Sequence, residues 1–141
     1  MKIIPFEEKY RDDLIYMVLI AKNAIGRVPH INDDLLDIPT YYFSKGHPFW
    51  IALDESDRVI GCIGTKTDSN GNLFLSHLFV HPDLKRQGIG SKLLKLAEES
   101  AKERGYKEVH VHLGKSYLES HLFYPKRGYT AYQENYMKKE L

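Results

Sequence analysis

The stretch LFVHPDLKRQGIGSKLL, residues 78–94, runs from an apolar strand pattern through a loop into a helix pattern. Gly88 and Gly90 lie one residue apart where the helix begins, shortly after Lys85 and Arg86. A helix N-terminus exposes unpaired N–H groups, and glycine lets the backbone approach a ligand closely. The pattern therefore raises the hypothesis of a local anion site, against the alternative of a loop that merely contains glycine.

The spacing of the two glycines does not fit the best-known nucleotide motifs. A P-loop requires the pattern G-x-x-x-x-G-K-[ST], and a dinucleotide-binding loop requires a third glycine at the position of Leu93. A lone G-x-G at the start of a helix is weak evidence, so the loop on its own leaves both interpretations open.

Composition and charge limit the classes of partner. The 141 residues fit one domain, covering 1–141, and 43% hydrophobic with 28% charged residues is ordinary for a globular protein. The net charge of +1 gives no overall attraction to nucleic acid or to a membrane surface, so we expect neither as a partner. The apolar run before Glu7 is too short for a signal peptide, and we expect a cytoplasmic protein. The single cysteine, Cys62, excludes an internal disulfide and a C-x-x-C metal site.

Hydrophobic periodicity predicts an α+β order of elements. We expect strands over residues 2–6, 49–53, 59–65, 73–80, 108–113, 129–132 and 136–141. We expect helices over residues 7–23, an irregular helical segment near 32–43 that Pro39 interrupts, a helix over 88–104 and one that begins at Ser116. Asn70-Gly71 predicts a hairpin between two of the strands. A strand–helix–strand crossover around 88–104 predicts one parallel pair within an otherwise antiparallel sheet.

Two segments resemble the GNAT superfamily, the Gcn5-related N-acetyltransferases. The first family motif reads roughly [LI]-x-V-x-P-x-x-[QR]-x-x-G-x-[GA]-x-x-L-L, and residues 78–94 match it except that Lys85 replaces glutamine or arginine. The second segment, LFYPKRGY over residues 122–129, places Tyr124 in the tyrosine position of another family motif. Tyr117 stands where the family often has asparagine. The element order matches the family over residues 2–141.

The resemblance implies a three-layer fold and a coenzyme site. The fold has a mixed, mostly antiparallel central sheet, helices on both faces, and a parallel pair of strands that splay apart around the pantetheine arm. The co-substrate is acetyl-CoA, and no metal is required. The residues expected to bind it are Leu78, Phe79, Val80, Lys85, Arg86, Gln87, Gly88, Ile89, Gly90, Ser91 and Tyr117.

The resemblance also implies direct attack by an amine on the thioester, with Tyr124 as general acid for the leaving thiolate. The general base stays open, because residues 73–80 contain no carboxylate where many family members have glutamate. His77 is our candidate, and the alternatives are Ser76, a histidine on the strand 108–113, or a water chain. His110 and His112 share one face of that strand and could also bind a metal, but no third ligand is evident, so we predict none.

The acceptor is the least readable part. Asp33, Asp34 and Asp37 are followed by Tyr41, Tyr42 and Phe43 in the region that covers the acceptor site in the family. Such a lining suits a cationic amine, and the alternative is a solvated helix face with capping aspartates. We expect a small-molecule or peptide amine as acceptor and a monomer or homodimer. The competing hypothesis is a non-catalytic module that binds acyl-CoA as a sensor.

Overall fold

One seven-stranded sheet forms the centre of the part that the computed structural model describes, which is residues 1–114 and 118–141. The strands are β1 Lys2–Pro5, β2 Phe49–Leu53, β3 Val59–Thr67, β4 Leu73–Val80, β5 Glu108–His112, β6 Thr130–Gln133 and β7 Tyr136–Glu140. Their order is β1-β2-β3-β4-β5-β7-β6, and neighbours are antiparallel except for the parallel pair β4–β5. The predicted mixed sheet is therefore confirmed.

Five α-helices accompany the sheet in the described residues. They are α1 Arg11–Ala24, α2 Asp33–Leu36, α3 Ile38–Tyr41, α4 Ile89–Glu103 and α5 Leu118–Phe123. Short 3₁₀ turns occupy Glu8–Tyr10, Phe43–Lys45, Pro82–Leu84 and Pro125–Arg127. Ser116, the predicted start of the last helix, lies outside the described residues. None of the described helices has both the length and the apolar character that crossing a membrane requires.

The helices cover both faces of the sheet, as β2 illustrates. All five of its residues are buried, and they alternate between two cores. Phe49, Ile51 and Leu53 share one core with the apolar face of α1, whereas Trp50 and Ala52 share the other with α4. Because neighbouring side chains of a strand point to opposite faces, this alternation shows three layers: helix, sheet and helix.

Two local predictions need correction. Pro39 does not interrupt the helical segment: it lies in the first turn of α3, where its missing N–H is tolerated, and the break falls at Asp37 (φ −148°). The hairpin predicted at Asn70-Gly71 is present, but β3 extends beyond its expected end at Thr65 to Thr67, which pairs with Leu73. The resulting five-residue loop is held by Asp68, whose carboxylate accepts from two backbone N–H groups of the loop, at residues 70 and 72.

The parallel pair β4–β5 opens soon after it begins. Phe74 opposite His110 is its one registered position, whereas β4 stays paired with β3 as far as Val80. The carboxyl half of β4 therefore has no β5 partner, as the splay implied by the resemblance requires.

Candidate active site

A cleft of about 820 Å³ fills the opening between β4 and β5. Its wall is formed by residues 75–80 of β4, the loop and first turn of α4 between 84 and 91, residues 111–114 at the end of β5 and beyond it, and part of the segment 118–127. Ala21, Ile25 and Arg27, at the end of α1 and after it, complete the lining. A cleft of this volume is typical of a site that takes a sizeable ligand. Leu78, Phe79 and Val80, which the sequence predicts to bind the coenzyme, line the cleft, whereas Gln87, predicted to do the same, is exposed and does not line it. Tyr117 lies outside the described residues.

The loop before α4 turns through left-handed backbone conformations. Arg86 has φ 64° and Gly88, the N-cap of the helix, has φ 80°. Gly90 differs, because a Cβ there would meet Val80 and Phe123 at 3.6 Å, an ordinary contact distance. Packing within the protein therefore does not require glycine at position 90, and both neighbours belong to the cleft wall. The first turn of this 15-residue helix offers its free N–H groups and dipole to an anion.

Side chains from the far wall of the cleft bond the polar groups of this loop. Lys85 forms an ion pair with Glu119 of α5 at 3.0 Å. Arg127 donates to the Ser91 hydroxyl from Nε at 3.1 Å and from Nη2 at 2.7 Å. Its guanidinium also lies 3.7 Å from the centre of the Phe123 ring. Arg127 thus adds a third cation beside the α4 N-terminus. The sequence shows Arg127 within the second motif, but it does not show that the side chain points toward Ser91.

Ile89, by contrast, belongs to the core. It is 5% exposed and its side chain packs toward Gly61 of β3, so its backbone alone is placed to meet a ligand.

Tyr124 lies in the cleft wall at the end of α5 and is 5% exposed. Its ring packs edge-on against Phe123 and Tyr129. Burial raises the pKa of its hydroxyl, and the nearby charge of Arg127 opposes this only in part. The hydroxyl is therefore protonated at neutral pH and is available as a proton donor.

His77 occupies a β-bulge in β4. Ser76 lies opposite Gly64 and Phe79 opposite Cys62, so His77 and Leu78 together face a single residue of β3. His77 has φ 56°, a conformation that is unfavourable for a side chain with a Cβ. The apolar residues of one face of β4 stand at positions 73, 75, 78 and 80. Their spacing of two residues becomes three between 75 and 78, and this extra residue is the sequence signal for the bulge.

A buried carboxylate binds His77 from outside the sheet. The Oδ2 atom of Asp34, on α2, lies 2.8 Å from His77 Nε2, 2.6 Å from Lys66 Nζ and 2.8 Å from the Tyr42 hydroxyl. Tyr42 in turn shares a 2.7 Å hydrogen bond with Ser76. Burial alone would raise the pKa of Asp34, but the hydrogen bonds from His77, Lys66 and Tyr42 outweigh it and hold the pKa well below its usual range. The sequence of β4 contains no carboxylate, and the carboxylate that contacts His77 comes from α2 instead.

The structure does not bring the three aspartates of the predicted acceptor lining together. Asp34 is buried and paired, Asp33 is exposed, and the Asp37 side chain caps α3 by accepting from the Thr40 N–H at 3.3 Å. Asn32 is the N-cap of α2, but its side chain accepts from Lys22 Nζ instead of the helix. The segment therefore combines capping with one buried charge.

The two histidines of β5 differ in whether they line the cleft. His110 is 5% exposed and its ring nitrogens bond the Tyr132 hydroxyl at 2.9 Å and Glu108 at 3.0 Å, so it does not reach the cleft. His112 does line the cleft, with its ring centre 4.6 Å from that of Tyr136. Within the described ranges, no cluster of three or more His, Cys, Asp or Glu side chains is arranged to hold a metal ion.

Comparison with known proteins connects this geometry to a family. The profile of the Acetyltransferase (GNAT) family matches residues 15–129. Human N-acetyltransferase 8 is 33% identical over 102 residues, covering 68% of this chain and 44% of its own length. The probable N-acetyltransferase camello of Xenopus laevis is 41% identical over 81 residues, covering 55% of this chain and 36% of its own. The matches thus span less than half the length of these relatives.

Solved structures share the fold over the whole chain. A GNAT-family acetyltransferase from Staphylococcus aureus Mu50 superposes with a TM-score of 0.87 at 23% identity, covering 99% of this chain and 98% of that one. The PaiA N-acetyltransferase of Thermoplasma acidophilum, solved in complex with coenzyme A, superposes with a TM-score of 0.75 at 20% identity over all of both chains. With the family profile, the splayed sheet and the glycine loop at the α4 N-terminus in agreement, the chain belongs to the GNAT family of acetyltransferases.

Proposed function

We propose that this protein transfers the acetyl group of acetyl-CoA to a primary amine, on a small molecule or a peptide, by direct attack in a ternary complex. One observation supports this most strongly. A single cleft collects the α4 N-terminus, a protonated tyrosine hydroxyl at Tyr124 and the imidazole of His77. These are an anion site, a proton donor and a proton acceptor, the groups that this transfer needs.

The donor side of the cleft has a place for the pyrophosphate and a place for the pantetheine arm of the coenzyme. The N–H groups at the start of α4, with Lys85, Arg86 and Arg127 around them, suit a pyrophosphate. The unpaired edge of β4 at residues 78–80 suits the amide groups of a pantetheine arm, which can bind there as an added strand would.

The chemical step requires two proton transfers. The amine nitrogen bonds to the acetyl carbonyl carbon and loses a proton to His77. The carbon–sulfur bond then breaks, and the sulfur takes a proton from the Tyr124 hydroxyl. The products are the acetylated amine and free coenzyme A, and no covalent enzyme intermediate forms.

A thiol-release assay tests the proposal. Purified protein is incubated with acetyl-CoA and a panel of amino acids, peptides, polyamines and aryl amines, and free coenzyme A is measured with a chromogenic thiol reagent. We expect thiol release that depends on one acceptor class, with mass spectrometry showing the acetylated amine. Absence of turnover with every acceptor, alongside tight coenzyme A binding by calorimetry, would contradict an enzyme.

That negative outcome would favour the second candidate, an acyl-CoA sensor. The observation behind this candidate is that Lys85 and Ser91, both expected at the pyrophosphate, already bond side chains of the opposite wall. A change in those contacts on binding would give a sensor its signal. Cytoplasmic location and a monomeric or homodimeric state stay predictions from the sequence.

A further inference from the structure

We propose that Asp34 is a positioning residue that orients His77 as the general base. The inference rests on the acetyl transfer proposed above and adds the residue that completes its base. It assigns to α2 a role in the reaction, although α2 contributes no residue to the lining of the cleft.

The backbone of β4 is shaped to bring His77 to Asp34. In a regular strand, consecutive side chains point to opposite faces of the sheet. Here Ser76 and His77 are consecutive, yet both contact the segment of α2 and α3, Ser76 through Tyr42 and His77 through Asp34. The bulge and the left-handed φ of His77 produce this exception. Unfavourable backbone conformations of this kind persist where the surrounding structure holds them, and they cluster at functional sites.

The environment of Asp34 keeps its carboxylate charged. The residue is 6% exposed, and its Oδ2 atom accepts from Lys66 and from the Tyr42 hydroxyl as well as from His77. A charged carboxylate is an acceptor only. His77 Nε2 must therefore carry the hydrogen in this contact, which leaves the lone pair of a neutral imidazole on Nδ1.

That lone pair is the one a general base needs. The His77 side chain keeps 16% of its exposure and lines the cleft, and no group of the described residues forms a hydrogen bond with Nδ1. Among the described residues, the charged or titratable groups around His77 include Asp34 with its partners Lys66 and Tyr42, and Lys22, which lies across the Phe79 ring that stacks on His77. They also include Cys62, whose thiol donates to the His77 carbonyl oxygen, and Arg27 of the cleft wall. Asp34 is the only anion in this set, so it stabilises the imidazolium that forms when the amine gives up its proton.

The test is a double-mutant cycle in the steady-state acetyl-transfer assay, with Asp34→Asn, His77→Gln and the double variant. We expect Asp34→Asn to lower kcat by about tenfold or more, with the KM for acetyl-CoA within about twofold of wild type. In the His77→Gln background the same change should alter kcat by less than about twofold, because Asp34 then has no base to orient. In the single variant the acidic limb of the kcat/KM profile should move to lower pH, because the imidazole has lost its neighbouring anion.

Asp13→Asn is the matched control. Asp13 also accepts hydrogen bonds from an arginine and a backbone N–H, at Arg58 and Val59, but lies outside the cleft wall. We expect this variant to lower the unfolding temperature without moving the pH profile. An equal loss of kcat from Asp34→Asn in both backgrounds, or an unchanged profile, would overturn the positioning role and leave Asp34 a structural residue.

Two further measurements keep the inference testable. If Asp34→Asn does not fold, Asp34→Glu displaces the carboxylate by one methylene, and we expect a lower kcat with the acidic limb in place; an unchanged kcat would overturn the inference.

If wild type shows no turnover, the proposed function fails, and NMR of ¹⁵N-labelled protein still tests the contact. We expect a slowly exchanging Nε2–H resonance of His77 that Asp34→Ala, which leaves no side-chain acceptor, removes. Its absence from wild type would contradict the geometry.

Discussion

The Tyr124 hydroxyl is buried at the end of α5, and burial raises its pKa, so it holds its proton until a stronger base forms nearby. A departing thiolate is such a base. We predict that Tyr124→Phe lowers kcat by about tenfold or more and leaves the affinity for coenzyme A within about twofold, because the ring still fills the wall. Kinetics and calorimetry on the same preparation measure both quantities.

Tyr129→Phe is the control for that substitution. Its ring centre lies 5.2 Å from that of Tyr124, but its hydroxyl donates to Glu98 at 2.6 Å instead of lining the cleft. We expect a lower unfolding temperature and a wild-type kcat. Equal kcat in Tyr124→Phe and wild type would remove Tyr124 from the chemistry.

A side chain at position 90 should change stability and coenzyme A affinity in opposite directions. A Cβ there meets ordinary contact distances, and alanine favours a helix over glycine by about 1 kcal/mol, so Gly90→Ala should raise the unfolding temperature. The same Cβ enters the space beside Val80 and Phe123 where the proposed pyrophosphate approaches, so coenzyme A should bind more weakly, and Gly90→Val more weakly still. Calorimetry and thermal unfolding give the two signs. Unchanged affinity in Gly90→Val would refute the phosphate cradle.

Sequence patterns reached some of these residues and not others for a physical reason. Gly88 and Gly90 follow the fixed spacing of one local motif and Tyr124 that of another, so a strand–loop–helix unit places the glycines and a helix end places the tyrosine. Asp34 and Arg127 act across the fold: one reaches β4 from a different element, and the other reaches Ser91 from beyond α5. Such contacts depend on how the elements pack, which no local spacing encodes.

Between elements, the Lys85–Glu119 pair joins the loop before α4 to α5 across the cleft. The Glu119 side chain is 66% exposed, so the pair itself contributes little to stability. Its removal frees a cation beside the proposed pyrophosphate and deletes an anion. We predict that Glu119→Gln tightens coenzyme A binding by up to about fivefold at low ionic strength, and that the gain shrinks as salt is added.

Glu99→Gln makes the same charge change on α4, where Glu99 pairs with Lys95 at 4.0 Å and lies outside the cleft lining. We expect it to leave coenzyme A affinity at the wild-type value. Weaker binding in Glu119→Gln would instead mean that the pair holds the cleft wall in the form that binds the coenzyme.

Element boundaries followed from the sequence wherever one periodicity governed a segment. Both β2 and β4 begin and end as predicted, since alternating or continuous apolar runs end at charged or proline-containing turns. The bulge inside β4 was missed because a strand was expected to keep one register throughout. The three-residue spacing between Leu75 and Leu78 shows that a break in the alternation of apolar residues can indicate an inserted residue in the strand.

At the scale of the molecule, the bulge and the splay divide the cleft between the two faces of the sheet. Leu78 and Val80 pack with the core that contains α4, on the side where the loop before α4 begins. His77 and Ser76 contact α2 and the segment after it, on the opposite side. The arrangement suits a donor and an acceptor that enter from different sides and meet at β4, with each side supported by its own core.

Acid should weaken the whole fold through its paired carboxylates. The pKa of Asp13 is lowered mainly by its hydrogen bond from Arg58, and that of Asp68 by backbone N–H groups, while His77 and Lys66 lower that of Asp34 against its burial. A folded-state pKa below the unfolded value of 3.8 means that the unfolded chain binds more protons as pH falls. The contribution is therefore complete above about pH 5 and is lost progressively below about pH 4. We predict that the free energy of unfolding of wild type, from urea titrations, falls between pH 5 and pH 2, by on the order of 2 kcal/mol from Asp34 alone. Asp34→Asn should start lower and fall less steeply, and parallel curves for the two proteins would show that Asp34 is not a source of the acid sensitivity.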